Sequence, residues 1–252
     1  MRLTVLGCAG SFPGPEGAAS SYLLEVDGFR ALLDLGSGAL SPLMRTGHGY
    51  DIDAVLLSHL HADHCLDMCP YYVARTYRPE GPAAPIPVYA PPAAADRLDA
   101  AYKHLRPGTM AKTFEFNDWA EGTHEIGPLR VTVRRVSHPI EAYAMRIEAG
   151  GAVLCYSGDS SVDDALVASA RDADLFLCEA SLLTRWEQPD GIHLTGRQAG
   201  EHAERAGAKR LVLTHLPMWT PQDEVLAEAR TAYQGPLELA RAGATYEVRR
   251  DR

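Results

Sequence analysis
The amino-acid sequence predicts an α/β fold in which two β-sheets lie between layers of helices. Short apolar runs of the β type recur along the whole chain, hairpin turns come early, and helical segments come later. A chain of 252 residues is long for one domain, but α/β and sandwich folds of this length are ordinary single units. We therefore expect one domain over residues 1–252.

The predicted strands are apolar runs that end at turn residues. Asp27-Gly28 separates two of these runs and Gly150-Gly151 separates another two, and both dipeptides are typical of tight β-hairpins. Residues 78–95 have the Pro- and Ala-rich composition of a linker, but they contain the strand-like IPVYA, so we expect an internal loop. In chain order the runs are RLTVLG, SSYLLEV, RALLDLG, DAVLLSH, IPVYA, LRVTVRRVSH, YAMRIEA, AVLCYSGD, ADLFLCEA, RLVLTH, LELA and TYEV.

Three segments have the pattern of helices. PPAAADRLDAAYKHL, residues 91–105, begins with proline and carries apolar residues at helical spacing. TGRQAGEHAERAG has Thr195 as its predicted N-cap and ends at Gly207. TPQDEVLAEARTAY has Thr220 as its predicted cap, Pro221 at the first helical position and acidic residues in the first turn.

Charge and cysteine content narrow the classes of function. The formal net charge of -9 argues against non-specific coating of nucleic acid, because such binding needs many Lys and Arg contacts with phosphate. The five cysteines are odd in number and three lie in apolar runs, so we expect reduced thiols rather than disulfides. No apolar run approaches the ~18 residues of a membrane span, and the N-terminal residues lack a signal-peptide layout, so we expect a cytoplasmic protein.

The strongest functional signal is SHLHADH, residues 58–64, directly after the apolar run AVLL. Because side chains alternate along an extended chain, His59 and His61 fall on the same side, while Asp63 and His64 follow where the chain turns toward a helix. Imidazole and carboxylate groups are the ligands that Zn²⁺ and similar divalent ions take. Four such groups in so short a span exceed the needs of one open site, so the cluster suggests two ions.

Further ligand-type residues end other predicted strands. His138 ends RVTVRRVSH, Asp159 ends AVLCYSGD, and His215 ends RLVLTH. Ligands at strand ends converge on one edge of a sheet sandwich. Together with the first cluster, these three residues favour a metal site over a set of isolated loop residues.

The motifs SHLHADH, VSHP, YSGDS and LTHLP resemble those of the metallo-β-lactamase fold, and within it the ribonuclease Z-like phosphodiesterases. TVLGCAGSFPG and LLDLGSG also look like the opening strands of this group, so the resemblance covers nearly the whole chain. It implies a single hydrolase domain with a four-layer αββα sandwich of two mixed sheets. It also implies seven metal ligands. His59, His61 and His138 would bind the first ion, Asp63, His64 and His215 the second, and Asp159 both.

A glutamate and a histidine narrow the subgroup. In ribonuclease Z-like enzymes the glutamate of a HEA-type motif orients the histidine of an H-x-T motif, and this chain has CEA at Glu179 and HLT at His193. The resemblance therefore implies that His193 stabilises charge or protonates a leaving alkoxide, and that Glu179 orients it. It also implies that Asp63 both ligates an ion and holds the attacking hydroxide. Glyoxalase II and true β-lactamases share the first cluster but are not known for this pair.

The chain departs from ribonuclease Z in one respect. That enzyme carries a long tRNA-binding arm between the ligands that match His138 and Asp159, whereas only 21 positions separate them here. We therefore expect a hydrolase of a small anionic phosphodiester, for example a 3′,5′-cyclic nucleotide, as in the compact actinobacterial phosphodiesterases that LLSHLHADHCLD, FLCEAS and LTHLPMWT resemble. The alternatives left open are a ribonuclease Z-type tRNA endonuclease, a lactonase-like hydrolase and a non-catalytic metal-binding protein.

The resemblance also implies cofactors and partners. We expect two divalent ions, zinc with manganese as the alternative, that lower the pKa of a shared water and so supply hydroxide. We expect no membrane partner and no tRNA substrate, and a homodimer only by analogy with related enzymes.

Trp219 and Tyr77 could stack on a base, but we expect both to be packed in the interior. His202, in the helix after His193, is expected to face solvent or to pack.

Overall fold
The structure is a computed structural model that describes residues 1–103, 108–187 and 191–250. Two mixed β-sheets pack face to face, and helices cover the outer face of each sheet. This is the four-layer αββα arrangement that the sequence resemblance implies.

The first sheet comes mainly from the N-terminal half of the chain. Its strands are β1 (Arg2–Ala9), β2 (Ala18–Ala19), β3 (Ser21–Val26), β4 (Phe29–Leu33), β5 (Ala54–Leu56), β6 (Ile86–Ala90), β7 (Phe114–Asp118) and β15 (Thr245–Glu247). The strand order is β15-β1-β3-β4-β5-β6-β7, and β2 pairs with β1. The strands from β15 to β4 pair antiparallel and those from β4 to β7 pair parallel. Asp27 and Gly28 both have positive φ, as a type I′ hairpin requires.

The second sheet comes from the C-terminal half. Its strands are β8 (Gly122–Ile126), β9 (Leu129–Arg135), β10 (Tyr143–Ala149), β11 (Ala152–Tyr156), β12 (Leu175–Glu179), β13 (Leu211–Thr214) and β14 (Leu237–Leu239). They lie in the order β14-β13-β12-β11-β10-β9-β8, antiparallel from β8 to β11 and parallel from β11 to β14. The predicted turn at Gly150-Gly151 joins β10 to β11, and both glycines have positive φ.

The helices fill the two outer layers. They are α1 (Leu40–Arg45), α2 (Ala62–Cys65), α3 (Met68–Thr76), α4 (Ala94–Tyr102), α5 (Asp164–Ala170), α6 (Gly196–Ala206) and α7 (Gln222–Arg230), with a short 3-10 helix at Met110–Lys112. The predicted ends of α6 are confirmed. Thr195 and Gln198 form a reciprocal capping box, and Gly207 ends the helix in the left-handed conformation.

Two predicted helix starts are wrong. α7 begins at Gln222 with Pro221 as its N-cap residue, because the Thr220 hydroxyl donates to the carbonyl of Ser181 at 3.0 Å instead of capping the helix. α4 begins only at Ala94, because its N-cap residue Ala93 has a left-handed backbone with φ of 68°. The last two residues of the predicted segment, 104 and 105, lie outside the described part of the chain.

Strands β7 and β8 are not predicted from the sequence. Each lies at one edge of its sheet, and most of its side chains are exposed or half-buried. Neither FEFND nor GTHEI contains a continuous apolar run, so the pattern that identifies most of the other strands is missing. The helix expected where Asp63 and His64 follow the strand is α2. Helices α1, α3 and α5 and the two-residue strand β2 are absent from the predicted elements.

Three groups of buried apolar side chains hold the layers together. One lies between the two sheets and includes Leu24 and Leu177, one lies between the first sheet and its helices and includes Leu43, and one lies between the second sheet and α5 to α7 and includes Val225. All five cysteines are free thiols, and four of them are buried. In the part of the chain that the structure describes, no helix has the length and apolar character needed to span a bilayer.

One edge of the sandwich collects the carboxyl ends of several strands. Because β9 and β11 both run antiparallel to β10, they end at the same edge as β12 and β13. Hydrogen bonds join the two sheets there: the Tyr143 backbone N–H donates to the Ser58 carbonyl at 3.0 Å, and the Tyr156 hydroxyl donates to Asp34 Oδ2 at 2.6 Å. The seven predicted ligands follow strands at this edge, Glu179 ends β12, and His193 lies just before α6.

Candidate metal centre
The structure brings the seven predicted ligands together at this edge. The residues after β5 supply the four from SHLHADH, and the loops after β9, β11 and β13 supply one each. They form two groups of four that share Asp159, and the donor atoms within each group lie within 4.8 Å of one another. We name the first the open group, because two of its histidines are half-buried, and the second the buried group, because all four members are buried. The open group is His59, His61, His138 and Asp159, and the buried group is Asp63, His64, Asp159 and His215.

Nitrogen atoms converge in the open group. The Nδ1 atom of His61 lies 3.1 Å from Nε2 of His59 and 3.1 Å from Nε2 of His138. The opposite nitrogen of His138, Nδ1, donates to the carbonyl of Ile192 at 3.0 Å, which leaves a lone pair on Nε2. His59 Nε2 also lies 3.6 Å from Asp159 Oδ2. The group therefore offers three imidazole nitrogens and one carboxylate, which is a donor set that zinc takes.

Asp159 is the centre of the buried group. Its Oδ1 lies 3.2 Å from Nε2 of His64, and its Oδ2 lies 3.2 Å from Nε2 of His215. Asp63 Oδ2 faces the same two nitrogens, at 3.6 Å and 3.7 Å. Two carboxylates and two imidazoles thus surround one small buried space.

The buried polar atoms of this group fit a bound cation. Nε2 of His64, Nε2 of His215 and Oδ1 of Asp159 are all buried, and none has a hydrogen-bond partner among the described residues. Leaving a buried polar group unsatisfied costs about 1–3 kcal/mol, and here three such atoms point at one another. A divalent ion would satisfy all three at once, so the residues present fit a metal ion.

Asp34 orients the buried group and was not predicted from the sequence. Its fully buried carboxylate accepts hydrogen bonds from His64 Nδ1 at 2.7 Å, from Tyr156 Oη at 2.6 Å, and from both the backbone N–H and the hydroxyl of Ser58. By holding His64 Nδ1–H, it turns Nε2 toward Asp159. The signal that could have identified it is LLDLGSG, which places a carboxylate directly after a buried strand, as the ligand motifs do.

Close backbone contacts fix the remaining ligands. Ser20 Oγ lies 3.0 Å from His215 Nδ1, and His215 itself has a left-handed backbone with φ of 59°. A Cβ atom on Gly10 would lie 2.4 Å from the His215 carbonyl oxygen, and one on Gly36 would lie 1.8 Å from that of Asp63. Only glycine allows the chain to approach the ligand backbones this closely at both points.

Glu179 and His193 form a hydrogen-bonded pair beside both groups. His193 Nδ1 donates to Glu179 Oε1 at 2.9 Å, and Glu179 is fully buried. The carboxylate also accepts from the backbone N–H groups of Ser160 and Leu194 and from the Ser181 hydroxyl. Asp159, Glu179 and His193 form a third cluster of ligand-type atoms. Because these donors already occupy both Glu179 oxygens, the geometry favours a positioning role for Glu179 over metal binding.

Burial and charge set the protonation of the histidines. Burial lowers the pKa of four of them, which favours the neutral ring that binds metal: His59, His61, His138 and His215. Burial also opposes charge on His64, but the Asp159 and Asp34 carboxylates outweigh it and raise the His64 pKa well above its usual range. A cation bound beside Asp159 would displace the His64 proton. Burial opposes charge on His193 as well, but Glu179 raises its pKa to about 9.

A sequence model of the beta-lactamase superfamily domain matches residues 29–216, a span that holds both ligand groups and the Glu179–His193 pair. The chain belongs to the beta-lactamase superfamily. With the two-sheet architecture and the clustered ligand-type residues, it is a metal-dependent hydrolase of this superfamily with the metallo-β-lactamase fold.

Individual relatives align over almost the whole chain. An uncharacterized protein of Mycobacterium tuberculosis is 40% identical over 255 residues, which cover 99% of this chain and 93% of the relative. The probable metallo-hydrolase YhfI of Bacillus subtilis is 32% identical over 250 residues, covering 98% and 100%. Ribonuclease Z of Myxococcus xanthus is 30% identical over 306 residues, covering 98% of each protein. The chain therefore has ribonuclease Z-like relatives, as its motifs indicate.

Several solved structures share the fold. The crystal structure of YhfI from Bacillus subtilis matches with a TM-score of 0.85 and 31% identity, over 98% of this chain and 99% of that one. A diphosphatase of the PhnP family matches with a TM-score of 0.75 and 25% identity, over 98% and 97%. The short form of human tRNase Z, at 23% identity and a TM-score of 0.78 over 99% and 100%, shows the fold alone.

Three further residues, Trp219, Tyr77 and His202, were given expected environments from the sequence, and not all of those expectations hold. The expectation that Trp219 and Tyr77 are packed in the interior is wrong, because they are 60% and 67% exposed. His202 is buried and packs: Nδ1 donates to the Gln198 carbonyl at 2.7 Å, and Nε2 accepts from the backbone N–H of Asp163 at 3.2 Å. It thereby links α6 to the start of α5.

Proposed function
We propose that this hydrolase is a phosphodiesterase that acts on a small anionic phosphodiester, with a 3′,5′-cyclic nucleotide as the expected example. The observation that carries the proposal is the position of His193. Its ring centroid lies 5.6 Å from that of His138 in the open group and 5.4 Å from that of His215 in the buried group. A phosphoryl group held by both ligand groups would lie beside this imidazole.

The seven ligand-type residues would hold two divalent ions, with Asp159 shared between them. Five of the seven are histidines, and this nitrogen-rich set suits zinc, with manganese as the alternative. Bound there, the ions would supply Lewis-acid activation of the phosphoryl group and a water of lowered pKa. They would also explain how a chain with net charge -9 attracts an anionic substrate.

The protein's own side chains complete the reaction. The Asp63 side chain is 10% exposed and faces His64 and His215 through Oδ2, so its other oxygen can accept a hydrogen bond from the attacking water. His193 holds one proton between Nδ1 and Glu179, and its Nε2 can donate another to the departing alkoxide. Glu179 is a positioning residue: it fixes the ring and favours the imidazolium that makes this donation.

The comparisons support phosphorus–oxygen bond cleavage. A ribonuclease and a diphosphatase, by their names, both hydrolyse such bonds, and both align over nearly the whole of this chain. Their shared chemistry favours a phosphodiester over a lactone or a β-lactam as the substrate.

A ribonuclease Z-type endonuclease is the second candidate, and the 30% identity to ribonuclease Z favours it. Two observations weaken it. The alignment spans 306 positions against 252 residues here, so the ribonuclease has segments without a counterpart in this chain. Between His138 and Asp159 the chain forms only β10, the Gly150-Gly151 turn and β11, which leaves no arm for gripping tRNA.

The test compares leaving groups in the metal-loaded protein. We expect hydrolysis of cyclic AMP and bis(p-nitrophenyl) phosphate and poor cleavage of precursor tRNA. His193→Ala should lower kcat on the cyclic nucleotide by roughly 10²–10⁴, with a much smaller loss on the p-nitrophenyl diester, whose leaving group departs without a proton. His48→Ala, a change in the loop between α1 and β5, serves as the control and should affect neither substrate.

Three results would count against the proposal. Efficient removal of a tRNA trailer with no turnover of small diesters would favour the second candidate. Hydrolysis of a lactone but of no phosphodiester would exclude phosphodiesterase activity. An equal loss on both substrates in His193→Ala would show that this residue is not the acid that protonates the leaving group.

A further inference from the structure
Half of the exposed large apolar side chains closely follow a predicted metal ligand in the sequence. Among the described residues, eight large apolar side chains are exposed, and four of these follow a predicted ligand by two to four positions: Ile140, Val162, Met218 and Trp219. Exposed apolar surface is unfavourable in water, and a cluster of it around polar site residues is typical of a ligand-binding mouth. The rim of this site therefore favours a substrate with a flat or apolar part beside its charged group.

Trp219 is exposed by a rigid turn and not by a loose loop. The backbone N–H of Thr220 donates to the Pro217 carbonyl at 2.8 Å, which places Met218 and Trp219 at the centre of a tight turn. Ser181 fixes both ends of the segment: its hydroxyl donates to the His215 carbonyl at 2.8 Å, and its carbonyl accepts from the Thr220 hydroxyl at 3.0 Å. The exposed indole is thus tied to the backbone of a predicted metal ligand.

A second aromatic ring supports the indole. The Phe12 ring lies 4.9 Å from that of Trp219, tilted by 45°. Phe12 follows the end of β1, where Ala9 bridges to Leu216 and Gly10 lies against the His215 carbonyl. Both rings therefore come from segments that touch the backbone around His215. Four residues span at most about 14 Å, so Trp219 is within nucleotide reach of the ligand groups.

We propose that Trp219, supported by Phe12, is the surface on which the planar base of the substrate stacks while the metal centre holds its phosphate. The inference rests on the proposed function and narrows it to phosphodiesters that carry a nucleobase or similar aromatic group. A substrate that carries only charged groups would not need an aromatic surface to bind. A protein partner is also disfavoured, because a turn only four residues long offers too little surface for it. Stacking contacts the π-face that all bases share, so adenine and guanine should gain similar affinity from it.

Tyr77 provides a matched control. It is as exposed as Trp219, but it lies at the far end of α3, where its ring contacts that of Tyr72 at 6.1 Å. An effect of aromatic loss in general would appear at both positions. An effect of stacking at the metal centre would appear only at Trp219.

The test measures binding separately from catalysis. In the metal-loaded protein, calorimetry gives the dissociation constants of AMP and of ribose 5-phosphate, which share a phosphate and differ by the base. We expect AMP to bind more tightly by roughly 5- to 100-fold. Trp219→Ala should bring the ratio of the two dissociation constants close to one without changing the affinity for ribose 5-phosphate. Trp219→Phe should keep most of the preference for AMP, and Tyr77→Ala should leave that preference unchanged. Unchanged melting temperatures would show that the variants are folded.

Two outcomes overturn the stacking proposal: a ratio near one in the unmodified protein, or a ratio that Trp219→Ala leaves intact. Cyclic AMP hydrolysis, assayed in the same preparations, keeps this result separate from the proposed reaction. Base-dependent binding through Trp219 without hydrolysis of any phosphodiester would refute the phosphodiesterase and uphold the stacking surface. Hydrolysis of a phosphodiester, with a preference for AMP that does not depend on Trp219, would uphold the phosphodiesterase and refute the stacking surface.

Discussion
The two ligand groups share Asp159 but differ in how firmly the protein holds them. In the buried group His64 is fixed by the buried Asp34 carboxylate and His215 by Ser20, and all four members are buried. In the open group His61 and His138 are half-buried, and His138 is oriented by a neutral backbone carbonyl. A charged, fully desolvated partner orients a ligand more strongly than a neutral one near solvent.

We infer from this difference that the two groups have separate tasks. We expect the buried group to retain its ion tightly and to fix the position of Asp159. The open group, next to His193 and nearer to solvent, would be where substrate and ion exchange. The following substitutions test this contrast, starting with the largest expected effect.

Asp159→Ala should cause the greatest loss, because it removes the ligand that both groups share. We expect the content of bound metal to fall from two ions per chain to less than one and phosphodiester hydrolysis to fall below detection. Elemental analysis after dialysis gives the metal content. Glu179→Gln is the control, since Glu179 hydrogen-bonds to His193 and should leave both ions bound. Retention of two ions in Asp159→Ala would refute the shared-ligand arrangement.

His61→Ala and His215→Ala should each remove about one ion but leave different ones. The ion left in His61→Ala would lie in the buried group and resist a chelator, whereas the ion left in His215→Ala would lie in the open group and be lost quickly. The rate of metal release to a coloured chelator distinguishes them. Equal rates in the two variants would show that burial does not set the affinity.

Asp34→Asn tests the orientation of His64 without touching a ligand. An amide cannot accept from all four donors that Asp34 now satisfies, so we expect metal affinity in the buried group to fall by roughly 10- to 100-fold. Tyr156→Phe removes one of those donors and keeps the ring, so its effect should be much smaller. Competition with a chelator of known affinity measures both. A similar loss in the two variants would assign the effect to packing instead.

Ser20→Ala should give the smallest change. It removes one hydrogen bond to His215 Nδ1, worth about 1 kcal/mol, and so should weaken binding in the buried group by roughly fivefold. The same competition assay measures it. A loss as large as that of Asp34→Asn would mean that His215, and not His64, is the ligand most dependent on its outer partner.

The sequence can single out the ligand-type residues because each lies in a short local pattern. His59 to His64, His138, Asp159 and His215 all follow apolar runs, and the structure gathers them at one edge. The residues that orient them have no such local signal. Asp34 is 30 positions from His64 and Ser20 is 195 from His215, so their contacts arise only from the sheet packing. The burial of Trp219 is wrongly predicted for a similar reason. The hydrogen bonds that hold its turn come from Ser181, which is distant in sequence.

Crystallography with anomalous scattering at the zinc edge tests the central claim most directly. The account predicts two peaks in the metal-loaded protein, one among His59, His61, His138 and Asp159 and one among Asp63, His64, Asp159 and His215, about 3.5–4 Å apart as in other two-metal sites. After brief exposure to a chelator, the peak in the buried group should persist while that in the open group weakens. A single peak, a peak among Asp159, Glu179 and His193, or loss of the buried-group ion first would contradict it.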